Sequence, residues 1–224
     1  MSGVIEFLKW PGAVSASCEL KAPLVGALDL IAVSVCAITG VLVARGRQMD
    51  LIGLTVIAVV SALGGGSIRD VLLGKFPVFW VAQPLELVAA MLAGWLTFVV
   101  VANVRVSPDV FQIPDALGLA LFTVVGAEKS LIEGHGWLVS AIMGVVTGVF
   151  GGVLRDIICR EIPSIFMRTE LYATASLAGG VTYVVSRGIG LPALASVLIG
   201  VSVVAIVRLA AIRWRWQLPL MRGE

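Results

Sequence analysis

The chain has 224 residues, 59% of them hydrophobic, and a mean hydropathy of +1.04. Only 13% are charged, against roughly a quarter in soluble domains, so the chain cannot cover itself against water and its solvent is lipid. A net charge of +2, with no basic run interleaved with aromatics, excludes a nucleic-acid surface.

In chain order, the opening "MSGVIEFLKWPGAVSASCELKAP" is interrupted by Glu6, Lys9 and Glu19, so no cleavable signal peptide is expected. Seven apolar segments then predict seven transmembrane helices: about Leu24–Val43, Leu51–Gly66, Val81–Val104, Ala116–Leu131, Trp137–Gly152, Leu171–Val185 and Leu191–Val207. The connections are short, so the expectation is one all-α polytopic membrane domain over residues 1–224. The cysteines Cys18, Cys36 and Cys159 lack the close pairing of a zinc site, and Cys36 and Cys159, in or just after apolar segments, read as small buried side chains.

Segments two and five are unusual. Leu51–Leu63 is 13 residues, which reaches about 20 Å against a hydrocarbon core of about 30 Å. Each segment thus meets its glycines before crossing, and a bent or broken helix is expected in both. The first reads "ALGGGSIRDVLLGKFPVFW" and the second "GVFGGVLRDIICREIPSIF", offset by 86 residues. The same offset aligns Asp29 with Asp115, Gly40 with Gly126, Ser61 with Thr147, Pro77 with Pro163 and Gly94 with Gly180.

The repeats cover about 24–104 and 110–187, with an extra helix at about 191–211. Three spans per unit is odd, so the second unit enters from the opposite face. Inverted repeats with paired glycine-interrupted helices point to a midplane pathway for a solute or ion. Lys and Arg divide ten against six between the two faces; without Arg69 and Arg155, nine remain against five. The richer side carries the C-terminus, which is expected in the cytoplasm with the N-terminus outside. "RWRWQ", Arg213 to Gln217, fits an interfacial anchor.

Gly64, Gly65, Gly66, Gly151 and Gly152 permit a bend and close helix approach, and a ladder ending there would free carbonyls for a cation. Ser61 and Thr147, one turn earlier, are candidate pore-lining hydroxyls. Arg69 and Arg155 are costly in the bilayer interior, by roughly 3 kcal/mol or more, and need partners. They read either as functional charges or as structural arginines reaching the headgroups. Because consecutive helical residues diverge by about 100°, Asp29 and Asp115 are better expected partners than Asp70 and Asp156.

Glu128 and Lys129 read as a helix-end charge pair, or as a charge at a pore mouth or gate. Glu86 reads as interfacial and His135 as a solvated loop residue. Enzyme readings fail: no Gly-Lys-Ser/Thr follows the glycines, and no metal cluster or acid–base pair gathers around His135.

The residues Asp29–Trp80, "DALGLALFTVVGAEKS" from Asp115 and "GVVTGVFGGVLRDIICREIP" from Gly144 resemble prokaryotic members of the trimeric intracellular cation (TRIC) channel family. The resemblance runs from about Leu24 to Val207. It implies homotrimers of seven-helix protomers in a prokaryotic plasma membrane. Each protomer would have a pore bounded by kinked helices two and five, permeable to potassium. Cofactors are not implied, beyond transient K+ and bound lipid. Phe150 stands where repeat two would hold a third glycine, and of the basic cluster that animal members carry in the fourth helix only Lys129 is present. Some bacterial proteins with this unit are described as glycine transporters, so a secondary transporter of glycine is the alternative.

Overall fold

The structure, a computed structural model, describes residues 22–47, 49–104, 108–167 and 171–216. Cys18 and Gln217 lie outside the described residues. Among the described residues there are eight α-helices: α1 (Ala22–Ala44), α2 (Leu51–Leu72), α3 (Phe79–Ala82), α4 (Leu85–Asn103), α5 (Gln112–Ile132), α6 (Trp137–Ile158), α7 (Tyr172–Gly188) and α8 (Ala193–Trp214). Two 3₁₀ turns lie at Pro108–Phe111 and Ser164–Phe166.

Five of these helices, α1, α2, α4, α6 and α8, are long and apolar enough to cross a membrane. The remaining long ones, α5 and α7, fall short for different reasons. In α5 the charges Asp115, Glu128 and Lys129 interrupt the apolar run, and α7 is 17 residues with Arg187 in its last turn. Both are largely enclosed by protein, so they do not need lipid-compatible surfaces all round. The outer face of α4 is the converse: Leu85, Val88, Leu92, Leu96 and Val99 are all exposed. Their spacing of three and four residues makes a continuous apolar stripe.

The expected break at the glycines is not found. Helix α2 runs through Gly64–Gly66 to Leu72, and α6 through Gly151 and Gly152 to Ile158. The ladder therefore frees no carbonyls at the glycines. The expected third span is divided instead, into the short α3 and, after Pro84, α4. Proline has no N–H for a helical ladder.

Helices α1, α2 and α4 pack on one another, as do α5, α6 and α7. The two groups join where α2 meets α6 and α1 meets α5, and α8 packs on α5 and α7. The same packing details recur at the 86-residue offset. A Cβ added at Gly40 would lie 3.0 Å from Ser61 Cβ and 3.1 Å from the Ile57 carbonyl oxygen. One at Gly126 would lie 2.6 Å from Thr147 Cβ and 2.9 Å from the Met143 oxygen. Small residues let membrane helices approach closely enough to gain from packing, which stands in for the missing hydrophobic drive.

The C-terminal ends of α2 and α6 repeat as well, whereas only α2 has a side-chain N-cap. Asp50 caps α2, its carboxylate accepting from the Gly53 amide at 2.7 Å. At the far end, Lys75 N–H donates to the Asp70 carbonyl at 2.8 Å and Gly74 N–H to Val71 at 3.1 Å. After α6, Glu161 N–H donates to Asp156 at 2.9 Å and Arg160 N–H to Ile157 at 3.0 Å. Both are Schellman closures, which place one residue in the left-handed region. That residue is Gly74 (φ +68°) after α2 but Arg160 (φ +57°) after α6. A side chain there is disfavoured by about 1 kcal/mol or more. Arg160→Gly is therefore expected to raise the thermal midpoint in detergent, and Gly74→Ala to lower it.

Candidate ion pathway

The α2–α6 crossing is reciprocal. A Cβ on Gly65 would lie 2.1 Å from the Thr147 carbonyl oxygen, and one on Gly151 would lie 2.4 Å from that of Ser61. Gly65 and Gly151, like Ser61 and Thr147, are equivalent by the 86-residue offset, so each helix presents the same patch to the other. The neighbouring glycines meet other groups. Gly64 faces the end of the Leu154 side chain, Gly66 the Phe79 ring and Gly152 the Tyr172 hydroxyl. Close approach of backbones and rings, rather than a break in the ladder, is what these glycines permit.

A small cavity sits against this crossing, lined by Ser61, Thr147, Gly151, Asp115, Arg155 and Tyr172 among others. The centre of a water-sized sphere can move through only about 10 Å³ of it, which is room for about one water or bare ion. Ser61 Oγ donates to the Cys36 carbonyl at 3.0 Å, and Thr147 Oγ1 to that of Met143 at 2.6 Å. A hydroxyl that has given its one proton offers its surroundings only lone pairs. Both hydroxyls are therefore set as acceptors, which suits a cation.

The Arg-Asp pairs flank the crossing. Arg69 Nε and Nη2 donate to Asp70 Oδ1 at 2.9 and 2.7 Å, and Asp70 Oδ2 accepts from the Phe79 amide at 2.8 Å. Arg155 Nε donates to Asp156 Oδ1 at 2.8 Å, and Asp156 Oδ2 accepts from the Ser164 amide at 3.0 Å. Each aspartate thus neutralises the arginine before it and clips the chain just past Pro77 or Pro163 back onto the helix end. The expectation that Asp29 and Asp115 are better partners than the adjacent aspartates is corrected in part: in both halves the long Arg side chain bends back to reach its neighbour.

Beyond these pairs the halves differ. Asp115 does join Arg155, at 2.9 Å from Nη1, and also receives the Tyr172 hydroxyl at 3.3 Å and Arg208 Nη2 at 3.8 Å. Arg208 stacks over Tyr172 at 4.7 Å. Asp29 does not pair with Arg69; its Oδ2 holds Lys129 Nζ at 2.5 Å. Lys129 and Arg69 both lie over the Phe79 ring, at 5.0 and 5.4 Å.

Glu128 and Lys129 are not paired with each other in an interface. Glu128 is 1% exposed and accepts from the Tyr183 hydroxyl at 2.6 Å and from Arg187 at 3.4 Å. Glu86, expected at the interface, is 3% exposed. His135 lies in the α5–α6 loop as expected, 3.9 Å from Glu133. Tyr172, Tyr183, Arg187 and Arg208 were absent from the sequence reading of the site. The signal for two of them lay at Asp115, whose pairing with a buried arginine required further counter-groups from distant helices.

These contacts rank substitutions. Gly65→Ala and Gly151→Ala press a methyl onto backbone oxygen and are expected to destabilise by about 1–3 kcal/mol. Gly64→Ala meets only a movable Leu154 end and should cost less. Asp70→Ala strands Arg69 and is expected to cost about 3 kcal/mol or more. Asp156→Ala leaves Arg155 with Asp115 and should be milder. Thermal unfolding of the five variants in detergent checks both orders.

A family model described as glycine transporter matches twice, over residues 26–102 and 112–187, with starts 86 residues apart. The UPF0126 inner membrane protein YadS of Escherichia coli K12 is 44% identical over 194 residues, 86% of this chain and 93% of its own. A UPF0126 membrane protein of Vibrio cholerae is 39% identical over 207 residues, 92% of this chain and 86% of its own. Among solved structures, the TRIC trimeric intracellular cation channel orthologue from Rhodobacter sphaeroides superposes with a TM-score of 0.81 at 36% identity. That match covers 85% of this chain and 98% of the other. A second structure, from work on conductance through TRIC cation channels, gives 0.76 at 32% identity over 89% of this chain and 98% of that one. With the duplicated Arg-Asp unit in place at both helix ends, this multi-pass membrane protein belongs to the bacterial family that holds the UPF0126 proteins and the prokaryotic TRIC channels.

Proposed function

We propose that this chain is a monovalent cation channel that conducts potassium through each protomer at the α2–α6 crossing. The observation that carries this reading is the pair of equivalent hydroxyls, Ser61 and Thr147. Each has spent its proton on a backbone carbonyl, and both line a cavity of ionic size. The solved structures of similar fold are described as cation channels, which supports the same reading. In this account the helices α1, α2, α4, α5, α6, α7 and α8 are the seven spans. The two three-span units are inverted about an axis through the reciprocal Gly65–Gly151 contact.

The protein works as a homotrimer in a bacterial inner membrane, N-terminus outside and C-terminus inside. Burial supports that orientation. Arg187, Lys129 and Arg208 are engaged in internal ion pairs. Removing them from the nine-to-five division leaves eight Lys and Arg against three, which sharpens the bias.

The glycine-transporter description of the family model gives a second reading, in which Arg69 or Arg155 would bind a substrate carboxylate. The geometry favours the first. Both arginines already hold carboxylates of the chain itself, and a cavity of about 10 Å³ holds one water, not an amino acid.

Purified protein in a planar bilayer under asymmetric KCl tests the proposal. Discrete openings that reverse near the potassium potential are expected, and Thr147→Val, which keeps shape but removes the acceptor, is expected to reduce unitary current several-fold. A silent bilayer together with saturable glycine uptake in proteoliposomes would overturn it.

A further inference from the structure

Among the described residues, two ion pairs outside the helices join one repeat to the other. Arg47, in the turn between α1 and α2, pairs with Glu161, just past the end of α6. Lys75, just past the end of α2, pairs at 2.5 Å with Glu133, in the turn between α5 and α6. The 86-residue offset carries Arg47 onto Glu133 and Lys75 onto Glu161. It therefore turns each pair into the other with the signs exchanged. One repeat supplies both cations and the other both carboxylates. A search for like residues at that offset passes over this equivalence, because arginine and lysine fall on glutamate.

The two pairs take equivalent places on the α2–α6 crossing. Arg47 lies four residues before α2 begins at Leu51, and Glu133 four before α6 begins at Trp137. Lys75 lies three residues after α2 ends at Leu72, and Glu161 three after α6 ends at Ile158. Each pair thus ties the start of one crossing helix to the end of the other, so the antiparallel helices are tied at both ends. Gly65 and Gly151 hold them together in the middle. Between the ties lies the cavity beside Ser61 and Thr147, with about 10 Å³ open to the centre of a water-sized sphere. That is room for about one water. On the channel reading, ions stream through it only when the two helices part at their ends.

We propose that Arg47–Glu161 and Lys75–Glu133 are the gates of the pathway, one at each membrane face, and that conduction requires them to release. The role rests on the channel reading, and the placing of one gate at each face on the inverted topology. The chemistry of the pairs suits the task. All four side chains are partly exposed, and an ion pair in contact with water adds little to stability and is screened by salt. Such a pair can open and close without loosening the fold. The pairs Arg69–Asp70 and Arg155–Asp156 are buried, and separating them would leave a charge stranded away from water. They brace the helix ends, while the exposed pairs are free to part.

The experiment introduces Thr147→Cys into the full chain freed of Cys18, Cys36 and Cys159, and follows how fast a small charged methanethiosulfonate modifies it in detergent. The pH is held fixed, because His135 stands 3.9 Å from the second oxygen of Glu133. Glu133→Gln and Glu161→Gln are each expected to raise the rate several-fold, and the two together to raise it further. Exchanging the charges of one pair, Lys75→Glu with Glu133→Lys, should return the rate to that of the parent. Thermal midpoints should stay where they were. In a planar bilayer the same Gln variants, without the reporter cysteine, should raise open probability and leave unitary current unchanged. Ser61→Cys serves as the reporter if Thr147→Cys does not fold. Rates unmoved by either Gln variant, or not restored by the exchange, would overturn the proposal. So would a midpoint that falls in step with the rate, since the pairs would then be structural. Conduction with an unmoved open probability would overturn the gates and leave the channel standing. A silent bilayer would count against the channel alone, because the modification rate needs no current and still decides whether the pairs close the crossing.

Discussion

The contact between α2 and α6 is the constraint on which the rest of the structure depends. Two membrane helices gain little from hydrophobicity when they meet, because lipid is as apolar as they are. They gain from close packing, and Gly65 and Gly151 allow it by bringing each helix against a carbonyl oxygen of the other. That approach sets Ser61 and Thr147 beside one cavity and seats Asp115 and Arg155 on its wall. A side chain at either glycine would move all of them.

Charge is handled by a compact unit. The aspartate after each arginine neutralises a charge that lipid would not tolerate, and its second oxygen recaptures the chain beyond the proline. One short motif therefore does two things at each helix end, which explains why arginine, aspartate and the downstream proline recur together. The halves then diverge. One is knitted by Asp115, Tyr172 and Arg208, the other by Phe79 lying under Arg69 and Lys129.

Much of this was legible in the residues. Apolar length found the helices, and the 86-residue offset found the equivalences at Gly40, Ser61, Gly65, Arg69 and Asp70. Two inferences went astray for physical reasons. Glycine and a short apolar run suggested a broken helix, but a buried helix end can carry Arg69 and Asp70 within its ladder because they satisfy each other. Angular spacing ranked Asp29 and Asp115 above the neighbouring aspartates, yet that argument concerns Cβ directions and neglects the reach of an arginine side chain. Contacts between distant helices, such as Asp29 with Lys129 or Glu128 with Tyr183, follow from packing angles that periodicity does not encode.

The central claim is that ions pass between Ser61 and Thr147. The direct test places a single cysteine at either position, in a background freed of Cys18, Cys36 and Cys159, and records single-channel current while adding Ag+, a thiol-reactive ion close to K+ in size. The account predicts irreversible block at both positions and none in the cysteine-free parent. Current that continues unchanged after mass spectrometry has shown the introduced cysteines to be modified would contradict it.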